Sequence, residues 1–149
     1  MIRIITAILI ALWLPSAGLA ASPDTAPTAA DCSDFLLDLN HKPQHLAFLG
    51  CRADTVHGLK ALVADYRVEG RHAETVERYF VKIAKMPVLG FYCCGWDSIG
   101  TSGRDGWLQA GGASYNISMG SGETLLNRRE DWPKIPWFSV TVTRYLEEP

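Results

Sequence analysis

The sequence has little charge of either sign and no polybasic stretch. Charged residues make up 20% of its 149 positions, and the formal net charge is −2 with neutral histidines. Nucleic acids select a basic surface, and anionic lipids select clusters of lysine and arginine. The composition therefore favours neither a nucleic-acid partner nor a stable association with a membrane.

Common sequence signatures of catalysis and phosphate binding are also missing. No serine lies in a G-x-S-x-G motif, although Gly120-Ser121-Gly122 comes nearest. The glycine-rich stretch after Trp96 contains neither G-x-G-x-x-G nor a terminal Gly-Lys-Ser/Thr, which are the motifs of phosphate-binding loops. We therefore expect no cofactor, and no residue stands out as catalytic from a motif alone.

Only one long apolar run occurs, and it lies at the N-terminus. Arg3 precedes an apolar run of 11 residues from Ile4 to Leu14, and Gly18 and Ala20 place small residues before a cleavage site. This order is typical of a secretory signal peptide. The run is shorter than the roughly 20 residues of a membrane-spanning helix, so an uncleaved anchor is the weaker alternative. We expect cleavage after Ala20 and a periplasmic or secreted location.

The rest of the chain is expected to form one domain. Residues 21–30 are small residues with two prolines, a composition typical of a disordered lead-in. Residues 31–149 have the length of a single domain with a substantial core. The expected organisation is therefore a signal peptide (1–20), a disordered lead-in (21–30) and one α+β domain (31–149).

All four cysteines lie in the part expected to be exported. No C-x-x-C occurs, so a metal site is not indicated, and an even count in an oxidising compartment is typical of disulfides. Cys93 and Cys94 are neighbours in a predicted strand, where successive side chains point to opposite faces. We therefore expect two bridges from this pair to Cys32 and Cys51, in either order. The alternative joins Cys32 to Cys51 and closes Cys93 and Cys94 as a vicinal ring.

Hydrophobic periodicity predicts the main helix and strands. Residues 71–85 carry apolar side chains at spacings of three and four, which predicts a helix. Residues 62–69 alternate apolar and polar side chains, which predicts a strand with one buried face. The order of elements favours an α+β fold: an antiparallel sheet of about five strands with two helices packed on one face, braced by disulfides. Other expected elements are a short helix at about 31–40 and strands at 46–51, 88–96, 107–110, 115–119 and 138–146.

The loop between Trp96 and Trp107 is the candidate binding site. It combines aromatic ends with charged middle residues, including Asp97 and Arg104. Loops held by a rigid sheet commonly carry binding residues, and tryptophan with arginine is typical of binding hot spots. The alternative is that both tryptophans cap the core and the loop is a plain hairpin.

Two other interpretations involve chemistry. Glu77, or Asp97, is a candidate acid of a cell-envelope hydrolase, with His72 as a neighbour of Glu77. A half-buried structural pair of Glu77 with Arg67 or Arg71 is the preferred alternative. A thiol/disulfide switch at Cys93 and Cys94 is the other interpretation, although no neighbouring basic residue would lower a thiol pKa there.

Several short motifs form a distinctive combination. These are Lys42-Pro43, Gly50-Cys51, Ala64-Asp65-Tyr66-Arg67-Val68-Glu69-Gly70, His72-Ala73 with Val76-Glu77, and Cys93-Cys94-Gly95-Trp96, after a first cysteine at position 32. Together they resemble a family of small exported bacterial proteins known only as a domain of unknown function. The resemblance covers nearly the whole mature chain. It implies a bacterial periplasmic or secreted location and supplies no activity, ligand or catalytic residue.

The leading hypothesis follows from small size, expected export and the missing catalytic motifs. We expect an exported, non-enzymatic protein-binding module, such as an inhibitor or an immunity-type protein of the cell envelope. The candidate contact residues are Trp96, Asp97, Arg104 and Trp107.

Overall fold

The computed structural model of the protein describes residues 31–99 and 106–147. The expected signal peptide (1–20), the expected lead-in (21–30) and the candidate residue Arg104 lie outside these residues. The helices are α1 (Phe35–Asp38), α2 (Gly70–Ala84) and a 3-10 helix (Arg129–Lys134), and the strands are β1 (Ala47–Val56), β2 (Leu59–Val68), β3 (Gly90–Tyr92), β4 (Gly95–Asp97), β5 (Trp107–Ala110), β6 (Ala113–Glu123) and β7 (Phe138–Tyr145).

The seven strands of the described residues form one antiparallel sheet. Their order is β1-β2-β7-β6-β4-β3, and β5 also pairs with β6. Each neighbouring pair is antiparallel. The expectation of about five strands with two helices is therefore wrong, because seven strands lie in one sheet and the described residues include a third helical segment. Within the described residues the sheet is the main element, and the helical segments other than the 15-residue α2 are short.

Two local features explain the additional sheet. Strand β1 continues beyond its expected end at Cys51, through the polar segment 52–54, and reaches Val56. An edge strand accommodates polar side chains because much of its surface faces water. The expected strand 88–96 instead contains a turn at Cys93 and Cys94, which divides it into β3 and β4.

Helix α2 lies close to the expected range of 71–85. Its apolar stripe, which the spacing predicts, is fully buried at Ala73, Val76, Phe80 and Ala84. The helix ends at Ala84 and is capped by Lys85, whose left-handed φ of 55° closes the last turn before Pro87. By contrast, α1 has only four residues, because Leu39 already ends it. No helix within 31–99 or 106–147 has both the length and the apolar character needed to cross a membrane.

The core lies between the helices and one face of the sheet. Alternate residues of β2 and β7 point into it, as the period of two predicts. Trp132 from the 3-10 helix and Phe35 and Leu36 from α1 close its margins. The buried alternating residues are Leu62, Ala64, Tyr66 and Val68 in β2, and Phe138, Val140 and Val142 in β7.

Candidate functional site

Cys32 and Cys51 form a disulfide bridge, with their Cα atoms 5.4 Å apart. The expected bridges from these residues to Cys93 and Cys94 are therefore wrong. Strand β1, which carries Cys51, is one edge of the sheet, and β4 is separated from it by three strands. Four inter-strand spacings amount to roughly 19 Å, well beyond the ~7 Å that a disulfide spans between Cα atoms. The sheet order thus keeps the two pairs of cysteines apart.

Cys93 and Cys94 form the two-residue turn between β3 and β4. Tyr92 pairs with Gly95 across the hairpin, and Cys93 has a positive φ of 54°. The two Sγ atoms lie 2.9 Å apart, and both residues are exposed. The strand rule, which places neighbouring side chains on opposite faces, does not hold in this turn. The hydrogen bond with Cys93 raises the pKa of the Cys94 thiol, and the charge of Glu123 adds to this effect.

Trp96 belongs to the core. The residue is only 6% exposed. Its indole N–H donates a hydrogen bond to the carbonyl of Leu126 at 2.8 Å. Its ring meets those of Phe91 and Trp132 edge to face, with centroids 5.6 and 5.1 Å apart. The ring of Trp96 is therefore not offered to a partner, and its role in the described structure is packing.

Trp107 lies in a different environment from Trp96. It is half-buried in β5, where it pairs with Asn116, and its ring packs 5.7 Å from that of Tyr145. Asn116 sits between the core residues Tyr115 and Ile117 in β6, so this row of side chains faces away from the helices. Asp97 is exposed at the end of β4. The structure does not bring the two tryptophans together into one contact patch.

Glu77 is held in a buried ion pair. It is 4% exposed, and its carboxylate accepts two hydrogen bonds from Arg129 at 2.7 and 2.8 Å. Its Oε1 also accepts from the backbone N–H of Leu89 at 2.7 Å. The expected pairing with Arg67 or Arg71 is replaced by an arginine 52 residues further along the chain. The hydrogen bonds that Arg129 donates to Glu77 raise the pKa of Arg129 above its ordinary value.

The residues around the pair of Glu77 and Arg129 indicate a structural rather than a catalytic role. The guanidinium of Arg129 lies 4.4 Å from the ring centroid of Trp132, and it also donates to the carbonyl of Leu89 at 3.0 Å. His72, the expected neighbour of Glu77, stacks instead on His45 with ring centroids 3.7 Å apart. Because Glu77 already accepts three hydrogen bonds, it is suited to holding three segments together rather than to transferring a proton.

Trp137 forms an exposed surface that the sequence analysis did not identify. It is 53% exposed and follows Pro136 directly before strand β7. Because Phe138 faces the core, alternation turns the preceding residue outward, and this signal was present in the sequence. Leu125, which is 94% exposed, lies on the neighbouring segment.

Two shallow depressions meet at Pro136 and Trp137, and together we call them the Trp137 surface. The first has a volume of about 450 Å³ and the second about 330 Å³. Charges of both signs border them. The lining residues are His45, Ala47, Arg67 and Glu69 in the first, and Ser121, Gly122, Glu123, Thr124, Leu126, Lys134 and Ile135 in the second.

The cysteine turn adjoins the second depression. Gly95, which follows the turn, pairs with Glu123, and the backbone N–H of Thr124 donates to the carbonyl of Cys94 at 2.6 Å. Glu123 and Thr124 both line the depression. One end of the sheet therefore carries the exposed tryptophan and the exposed thiols as neighbouring features.

Metal ligands do not cluster in the described part of the chain. Within 31–99 and 106–147, no group of three or more histidine, cysteine, aspartate or glutamate side chains is placed to hold a metal ion.

These observations define a single-sheet antiparallel protein with a small exposed aromatic surface at one sheet end. The chain belongs to a family described as a domain of unknown function (DUF4952), whose family model matches residues 21–96. The resemblance stated from the motifs is thereby confirmed at the level of the family. The match covers about half of the chain rather than nearly all of the mature part, and it ends at Trp96. No curated protein and no solved structure matches the chain significantly.

Proposed function

We propose that this protein is an exported, non-enzymatic module that binds a protein of the bacterial cell envelope through the Trp137 surface. Such a module would act as an inhibitor or as an immunity-type protein. The observation that carries the proposal is Trp137, which is 53% exposed although the chain buries Trp96 and Trp132.

The position of Trp137 favours recognition. Pro136 on one side has a fixed φ, and Phe138 on the other is fully buried, so the indole is held on a restrained backbone. A restrained aromatic side chain loses little entropy when a partner covers it, and tryptophan is enriched in binding hot spots. The depressions on its two sides give a partner room to pack around the ring.

The charges at the rim favour a protein rather than a highly charged polymer. Arg67 and Glu69 border the first depression, and Glu123 and Lys134 border the second. Interfaces between proteins commonly combine an apolar centre with a polar rim of mixed sign. A strongly basic or strongly acidic partner would meet like charges at both depressions.

Two features support export. The disulfide between Cys32 and Cys51 is typical of proteins in oxidising compartments. The match to the family model begins at residue 21, directly after the expected cleavage position at Ala20. Both features agree with a mature protein that works outside the cytoplasm.

The hydrogen bonds of Glu77 argue against the hydrolase alternative, in which Glu77 is the main candidate acid. The hydrogen bonds of Glu77 to Arg129 and Leu89 occupy both carboxylate oxygens. Asp97, the other acid considered, is exposed on a three-residue strand and lines neither depression of the Trp137 surface. We therefore favour binding over hydrolysis.

Site-specific photo-crosslinking in the producing bacterium tests the proposal. A photoreactive amino acid is placed at position 137, at position 125, and at the exposed control position Val88. We expect one envelope protein to be crosslinked from positions 137 and 125 and not from position 88. Identical products from all three positions, or no product from position 137, would contradict the proposal.

The affinity of the identified partner gives a second test. Trp137→Ala should weaken binding at least tenfold, because truncating a hot-spot tryptophan typically costs about 2 kcal/mol or more. Leu37→Ala, at another exposed apolar residue, is the matched control and should leave the affinity unchanged. Equal affinities of the two variants for the partner would show that Trp137 does not contribute to the interface.

A further inference from the structure

We propose that Cys93 and Cys94 form a dithiol site that reacts with an external disulfide and closes as a vicinal disulfide at the tip of the β3–β4 hairpin. The substrate class is a disulfide, carried either by a small molecule or by a protein thiol oxidase. This inference goes beyond the proposed binding function and does not depend on it.

The hairpin brings the two sulfurs together and leaves them accessible. Their Sγ atoms lie 2.9 Å apart, and both residues are exposed. The cross-strand pair of Tyr92 with Gly95 fixes the ends of the turn, while Thr124, directly after β6, donates its backbone N–H to the carbonyl of Cys94. The dithiol is therefore formed by the fold rather than by chance contact of mobile chains.

No other bridge within the chain competes for these sulfurs. The sequence contains four cysteines, and Cys32 and Cys51 are already joined on the opposite edge of the sheet. Any further disulfide within the chain must join Cys93 to Cys94. The fold thus assigns the partner of each thiol.

The reaction consists of two exchange steps. One of the two cysteines loses its proton, and its thiolate attacks a sulfur of the external disulfide RSSR. The S–S bond of RSSR breaks, a mixed disulfide forms, and RS⁻ leaves. The second cysteine then loses its proton and attacks the first cysteine's sulfur, which closes the ring and releases a second RS⁻. The two protons end on the two released thiols, so two cysteines are oxidised and one disulfide is reduced.

Two properties of the site favour the closed form. The second exchange step is intramolecular between neighbouring sulfurs, so it proceeds with a high effective concentration. In addition, the contact with Cys93 and the charge of Glu123 raise the pKa of Cys94. A thiol with a raised pKa is a poorer leaving group when an external thiolate attacks the disulfide. Opening of the ring is slowed accordingly.

Peptide mapping of the exported protein tests the inference. Cells are quenched with N-ethylmaleimide, and the peptides are analysed by mass spectrometry without reduction. We expect the peptide that contains Cys93 and Cys94 to lack two hydrogens and to carry no maleimide. Reduction should then open this exposed ring, so that two maleimides are added to the same peptide.

The reduced protein is then reoxidised in two arms, one with oxidised glutathione and one with a protein thiol oxidase of the same compartment. Closure of the ring in either arm supports the site, and the faster arm identifies the source of oxidising equivalents. Cys93→Ser and Cys94→Ser are the matched variants, since each keeps one thiol and should stop at the mixed disulfide.

Three outcomes would overturn the inference. These are two alkylated thiols that persist after excess oxidised glutathione, a mixed disulfide that accumulates in the wild-type chain, and a bridge between two chains. Crosslinking from position 137 is measured separately, so failure of the dithiol site is distinguishable from failure of the binding proposal.

Discussion

Glu77 and Arg129 are joined by two hydrogen bonds across 52 residues of chain. The pair fastens α2 to the 3-10 helix, and both residues also bind the backbone of Leu89 ahead of β3. Trp132 and Trp96 lie beneath the guanidinium, with ring centroids 4.4 and 5.7 Å away. One ion pair therefore organises three segments that are distant in sequence.

Removing the arginine of this pair should destabilise the protein strongly. Arg129→Ala leaves the carboxylate of Glu77 buried without its cation, which typically costs several kcal/mol. Because the side chain of Arg129 is 40% exposed, water reaches the pair, and we expect a smaller loss of about 2 kcal/mol. Urea unfolding at neutral pH measures the change.

The neighbouring arginine provides the control for this experiment. Arg128 pairs with Glu130 on the surface, so Arg128→Ala should change stability by no more than about 0.5 kcal/mol. Equal stabilities of the Arg129→Ala and Arg128→Ala proteins would show that the buried pair contributes nothing.

Gly70 is a position where a side chain does not fit. A Cβ atom there would overlap the backbone carbonyls of Trp132 and Ile135, and backbone atoms cannot move aside as a flexible side chain can. We expect Gly70→Ala to lower stability by about 2 kcal/mol and to alter tryptophan fluorescence through Trp132. Thr75→Ala, on the exposed side of the same helix, should preserve both signals. A wild-type unfolding curve for Gly70→Ala would disprove the close contact.

The two cysteine pairs should differ in their contribution to stability. The bridge between Cys32 and Cys51 spans a sequence separation of 19, and a loop of this size corresponds to about 3 kcal/mol in the chain-entropy description. We expect the double variant Cys32→Ala/Cys51→Ala to lose that amount in urea unfolding. The double variant Cys93→Ser/Cys94→Ser, in an exposed turn, should lose less than about 1 kcal/mol. The opposite ranking would contradict the assigned pairing.

The buried hydroxyl of Tyr66 should make the free energy of unfolding fall at alkaline pH. Burial raises the pKa of its hydroxyl above the ordinary value, and this oxygen accepts a hydrogen bond from the N–H of Leu36 at 3.3 Å. The unfolded chain loses the phenol proton near pH 10 whereas the folded protein keeps it. Unfolding then releases a proton, so the free energy of unfolding should fall by about 1.4 kcal/mol per pH unit above pH 10.

Tyrosine variants separate this effect from other alkaline titrations. Tyr66→Phe should flatten the decline above pH 10 while lowering stability at neutral pH by about 1 kcal/mol, because the N–H of Leu36 loses its acceptor. Tyr92→Phe, at an exposed tyrosine, should leave the decline unchanged. If both variants decline as steeply as the wild type, Tyr66 is not responsible.

The elements predicted best are those whose burial repeats at a regular spacing. The stripe of Ala73, Val76 and Phe80 predicts α2 to within about one residue at each end, and the alternation of Phe138, Val140 and Val142 predicts most of β7. The preferred cysteine pairing is wrong and the alternative bridge between Cys32 and Cys51 is the one present, because the pairing depends on which strands are neighbours in the sheet. The partner of Glu77 is not predictable for the same reason, since nothing near Glu77 in sequence indicates Arg129.

The candidate binding site also shows the difference between what local sequence indicates and what depends on the fold. The composition of the loop from Trp96 to Trp107 suggested a contact surface, yet Trp96 is buried and Trp137 is exposed. The exposure of a tryptophan depends on what packs against it, and the residues that cover Trp96 come from the 3-10 helix and from Leu126. Only the assembled sheet shows which aromatic ring faces water.

Apolar spacing and short motifs are local properties, so they are sufficient to indicate the inward faces of the principal helix and strands and the family to which the chain belongs. The order of the strands, the partners of the cysteines and of Glu77, and the exposure of Trp137 follow only from the three-dimensional fold. These depend on residues tens of positions apart, which come into contact only when the chain has folded around its core.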